Sequence, residues 1–138
     1  MRGIIVLFLT LSLISFGCKD QSKTSGASQM EEVLSLHDEV MPKMSTIAKL
    51  VGELKSKVDS TDQGLEYASA MEDLQDSHKA MMDWMQGFGT RFTSDEILNG
   101  APLTEEKQDW LDEEEEKVIA LKKQILESIE SAQEILDQ

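Results

Sequence analysis

The stretch YASAMEDLQDSHKAMMDWMQGF, Tyr67 to Phe88, decides the fold class. Tyr67, Met71, Leu74, His78, Met81, Met85 and Phe88 recur at a 4-3-4-3 spacing, which places all seven along one side of an α-helix. A strand would need alternation with a period of two, and no such run of β-branched residues occurs beyond Cys18. The segment therefore predicts an amphipathic helix with one buried seam.

The residues on either side extend the pattern. Ser60 with Gln63 reads as a capping box that opens this second helix, and Gly87 and Gly89 are expected to end it. Upstream, Ser28 with Glu31 reads as a capping box for a first helix. Its stripe is Met30, Val33 or Leu34, His37, Met41, Met44, Ala48, Val51, Leu54 and Val58. Pro42 removes one backbone donor and crowds the carbonyl four residues back, so a kink or break is expected near Asp38 to Met41 with the stripe keeping its phase. Downstream, Ser94 is expected to cap a short turn, Asp95 to Leu98, closed by Asn99 and Gly100. Thr104 followed by Glu105 and Glu106 matches a helix N-terminus, and Leu111, Val118, Leu121, Ile125, Ala132 and Leu136 carry a third stripe. The expected fold is all-α: an antiparallel up-down-up three-helix bundle, or a helical hairpin with a longer docked third helix, over residues 30–138.

The N-terminal part reads as an address. Residues 1–17 combine Arg2, an apolar run from Ile4 to Ile14, and the small residue Gly17 before Cys18. The run is shorter than the roughly 20 apolar residues a membrane-spanning helix needs. It resembles a bacterial lipoprotein signal, with Ser15 where the commonest lipobox has Leu. That resemblance implies cleavage before Cys18 and diacylation of its sulfur, hence a membrane anchor. Lys19 rather than Asp follows the cysteine, which by the same resemblance favours the outer membrane over retention at the inner one. Residues 18–29 then form an acylated cysteine and a flexible linker rich in Ser, Lys and Gly.

Composition narrows the function classes. The 138 residues carry 27 acidic and 13 basic side chains, a net charge of -14, which opposes approach to phosphate backbones and argues against a nucleic-acid partner. A single cysteine offers no internal disulfide and no thiol pair for zinc or redox chemistry. Gly87-Phe88-Gly89-Thr90-Arg91-Phe92 lacks the third glycine of a dinucleotide fingerprint and follows a helix. No HExxH occurs, and neither histidine has a glutamate three residues before it, so the di-iron bundle pattern is missing too. The chain reads as a non-enzyme that requires no cofactor. The acidic run Asp112 to Glu116 points around the whole helical cylinder and reads as a solvated face. Glu114 alone falls on the third stripe, where it would want Lys117 or a helix end nearby.

One constellation bears on chemistry. Apart from Met1, every methionine lies in the first two helices, and so do both histidines. His37 precedes Met41 and Met44 by four and seven residues, and His78 precedes Met81, Met82 and Met85 by three, four and seven. A turn centred on residues 59–61 would set His37 beside Met82 or Asp83 and Met41 beside Lys79, so the two clusters would meet. Imidazole with thioethers and no hard oxygen suits Cu(I) or Ag(I). The competing reading is that the methionines fill core gaps and the histidines are buried and neutral; a third is that both histidines charge on acidification and loosen the bundle. Trp84, Trp110, Phe88 and Phe92 read as core caps or, alternatively, as a partner surface.

With HDEVMPKM at His37 to Met44, DLQDSHKAMMDWMQGFG at Asp73 to Gly89 and SDEILNG at Ser94 to Gly100, the chain resembles a group of small Bacteroidota-type lipoproteins. Members of that group often carry the automatic label "viral A-type inclusion protein". The resemblance implies an envelope lipoprotein and assigns no activity and no binding residue. The expected role is a non-catalytic binding or scaffolding module with an envelope protein as partner. The alternative is a Cu(I) or Ag(I) chaperone or buffer using His37, Met41, His78, Met81 and Met85.

Overall fold

The computed structural model describes residues 26–138, so residues 1–17, Cys18 and most of the linker lie outside the described residues. Among the described residues all regular structure is helical: α1 (Gly26–Val40), α2 (Lys43–Lys55), α3 (Asp62–Arg91), α4 (Ser94–Leu98) and α5 (Glu105–Leu136). None of these helices is long and apolar enough to cross a membrane.

Helices α1 and α2 form one rod broken at Met41 and Pro42. The Met41 N–H still reaches the His37 carbonyl at 3.0 Å, whereas Met44 N–H bonds only three residues back, to Met41, at 3.1 Å. The break therefore sits where Pro42 withholds its donor, at the end of the expected interval. The rod returns as α3, and α5 runs back beside both. Two bonds fix the direction of α5 against α1: Gln29 to Asp112 and Lys122 to Glu39 both span 83 residues, so these helices are parallel and in constant register. Lys57 over the Tyr67 ring near the turn and His37 against Met85 farther along show that α3 runs antiparallel to the first rod.

The core is a single cluster drawn from α1, α2, α3, α5 and Phe92. Its most enclosed members include Val33, Val40, Ile47, Leu54, Leu74, Met81, Leu111, Val118 and Ile125. The seam of the first rod keeps its phase across Pro42, as expected, but Val40 and Ile47 occupy it in place of Met41 and Ala48. On α3 the shared positions Tyr67, Leu74, Met81 and Phe88 are buried. The positions between them are Ala70, Ser77 and Trp84 rather than Met71, His78 and Met85.

Several boundaries shift, each for a local reason. Helix α1 reaches back to Gly26, so Ser28 lies within the helix and caps nothing; Gln29, beside it, is buried. The cap of α3 is Thr61, not Ser60: its hydroxyl accepts from Gly64 N–H at 3.0 Å, while Thr61 donates through N–H and Oγ1 to Asp59. Those two donations hold the Asp59 carboxyl below its ordinary pKa. Gly64 is required here, because a Cβ would lie 2.6 Å from the Asp59 backbone nitrogen. Helix α3 also runs through Gly87 and Gly89 to Arg91, since burial of Trp84, Phe88 and Phe92 outweighs about 1 kcal/mol of helix propensity per glycine. Thr93 rather than Ser94 caps α4, in a capping box with Glu96, and Gly100 closes it at a φ of 64°. Thr104 caps α5 as expected, accepting from Lys107 N–H.

Candidate functional site

The histidine and methionine residues do not gather as one cluster. His37 sits on the last turn of α1, directly before the break, with 18% of its side chain exposed. Its Nε2 lies 3.2 Å from Met85 Sδ on α3, and its ring stacks on Trp84 with centroids 5.7 Å apart. Its Nδ1 lies 2.9 Å from Asp38 Oδ1. His78, by contrast, is exposed on α3, seven residues before Met85. A separation of seven residues is about 10 Å along the helix axis, too far for His78 to share an ion with His37.

The expected partner of His37 is thereby corrected by half a turn: it faces Trp84 and Met85, not Met82 or Asp83. The pivot of the hairpin is Thr61 rather than the residues centred on Ser60, and each one-residue shift of an antiparallel pivot moves the facing residue by two. Met81 is fully enclosed in the core, while Met41, Met44 and Met82 are half-buried against it. Asp38 was not legible as a neighbour of the imidazole, because adjacent helical residues point about 100° apart. Among the described residues no group of three or more His, Cys, Asp or Glu side chains converges as a metal site.

Trp84 begins an aromatic ladder that continues to Phe88 at 5.0 Å and Phe92 at 4.9 Å. All three are core residues, whereas Trp110 is half-buried beneath the Arg91 guanidinium.

Arg91 is a hub. It donates to Glu113 at 2.7 Å and lies 3.0 Å from Glu114, which is 3% exposed and also receives Lys117 at 2.9 Å. The Arg91 guanidinium holds the Glu113 carboxyl below its ordinary pKa. Lys107, bonded to Glu96, does the same there, and so ties α4 to α5. The acidic run is therefore more than a solvated face. Asp112 and Glu115 accept from Gln29 of α1 while Glu113 and Glu114 take Arg91 of α3, because consecutive side chains of α5 point toward different neighbours.

A groove follows the α3–α5 seam. It comprises two adjoining clefts of about 480 and 520 Å³ that share Ala120 and Gln124. Small side chains line it, among them Ser77, Ala80, Gly87, Ser128 and Ser131, and Asp73 and Asp76 stand on its rim. Ser77 Oγ and Trp84 Nε1, both buried and both from residues lining this groove, have no hydrogen-bond partner. Ser128 satisfies its own hydroxyl on the Ile125 carbonyl.

No protein-family model, curated protein or solved structure matches the chain.

Proposed function

We propose that the chain is a lipid-anchored protein of the bacterial cell envelope whose acidic helical domain is a non-catalytic binding or scaffolding module. The address at residues 1–18 supports the location. The α3–α5 groove supports the role: its small side chains, among them Ala80, Gly87 and Ser131, let another backbone approach closely. Asp73 and Asp76 on the rim favour an amphipathic helix of an envelope protein that presents Lys or Arg.

Photocrosslinking in intact envelopes tests this reading. A photoreactive residue at Ala80 should give one discrete adduct, lost when Asp73 and Asp76 are changed to Lys; no adduct, or one indifferent to that reversal, overturns it. Cys18→Ala should release the protein from the membrane into the soluble fraction.

A second reading, a Cu(I) or Ag(I) chaperone or buffer, is favoured by one observation: His37 Nε2 and Met85 Sδ meet at 3.2 Å.

A further inference from the structure

The junction of α1 and α3 holds an imidazole nitrogen and a soft thioether face to face. Asp38, as a carboxylate, can only accept, so in the tautomer whose Nδ1–H donates to it the Nε2 lone pair of His37 is directed at Met85 Sδ. A thioether has no proton to give. The contact therefore sets a nitrogen lone pair against sulfur lone pairs at 3.2 Å, with no hydrogen between them in that tautomer. Even bonds as short as those of zinc, about 2.0 Å to nitrogen and 2.3 Å to sulfur, would set the two donors about 3.5 Å or more apart, so an ion enters only as the pair parts.

We infer that His37 Nε2 and Met85 Sδ are the primary ligands of a site for a soft monovalent cation, Cu(I) or Ag(I), with Met41 as third ligand; this rests on the second reading above and revises its ligand set. The intact bond from Met41 N–H to the His37 carbonyl keeps that turn helical, so Met41 lies on the His37 face, and its flexible thioether is only half-buried. Donor softness selects against Zn²⁺ and Ca²⁺. Trp84, stacked on His37, covers one side of the ring. Asp38 is a positioning residue that fixes the tautomer. His78 takes no part.

The test is titration of Ag(I) into the full chain in chloride-free detergent solution, with Cys18→Ser so that no thiol competes. It is followed by the His37 imidazole ¹⁵N and methionine methyl NMR signals. One equivalent should move His37 Nε2 and the Met85 and Met41 methyls and leave His78 in place. Met85→Leu, which conserves volume and should retain the helical circular dichroism, is expected to weaken binding by about tenfold or more, and Asp38→Ala by about tenfold. His78→Gln should leave affinity unchanged. If the chain binds no Ag(I), the metal reading and this site both fall. If it binds Ag(I) equally well with Met85→Leu and with His37→Gln, this site falls while the metal reading stands at other methionines.

Discussion

HDEVMPKM at His37 to Met44 and HKAMMDWM at His78 to Met85 are near copies, each with methionine four and seven residues after its histidine, yet they occupy opposite environments. His37 is wedged between Trp84, Met85 and Asp38, whereas His78 faces solvent. The difference lies in which helix each face meets. On α3 two seams fit the apolar spacing equally well, and they share Tyr67, Leu74, Met81 and Phe88. The seam through Met71, His78 and Met85 is the more apolar. The bundle instead buries Ala70, Ser77 and Trp84, because α5 closes on that side. Helix amphipathicity specifies a stripe more than 100° wide, and neighbouring chains choose the centre line within it.

The largest expected effect comes from Met81, one of the four residues both seams share. Met81→Ala should cost about 3 kcal/mol in urea denaturation, since Met81 is fully enclosed, whereas Met82→Ala should cost under about 1 kcal/mol. Equal losses would mean that the second segment is buried on its Met82 side instead. Ser77→Ala should stabilise the chain by about 1 kcal/mol, because it deletes a buried hydroxyl without a partner. A loss of stability would show that the hydroxyl is satisfied and that the groove floor is closed. The histidines themselves come next. His37→Ala should cost about 1 kcal/mol through the lost stack on Trp84, and His78→Ala should stay within about 0.5 kcal/mol.

The smallest effect is electrostatic. Glu96 and Glu113, with folded pKa values depressed by Lys107 and Arg91, contribute stability that is present above the ordinary carboxylate range and lost as pH falls through the depressed values. Both lie toward the bundle end that carries Arg91 and α4. Hydrogen exchange below about pH 4 should therefore accelerate first at Thr93 to Lys107 rather than near His78. The double variant Glu96→Gln, Glu113→Gln should flatten the acid limb of the melting curve, and an unchanged limb would assign acid sensitivity elsewhere.

Much of this architecture was legible along the chain. Helical class, the break at Pro42, the Thr104 cap, the Asn99-Gly100 closure and the placing of Glu114 next to Lys117 all follow from periodicities and dihedral preferences that act within a few residues. Only packing decided the rest. Gly87 and Gly89 stay helical because their aromatic neighbours are buried, and Asp112 to Glu115 become cross-ties because Gln29 and Arg91 arrive beside them. Of two equivalent histidines, one meets a sulfur and an indole while the other meets water. Local rules determine which residues share a helical side, whereas the azimuth of that side depends on where the other helices stand, a property of the whole assembly that no single stripe encodes.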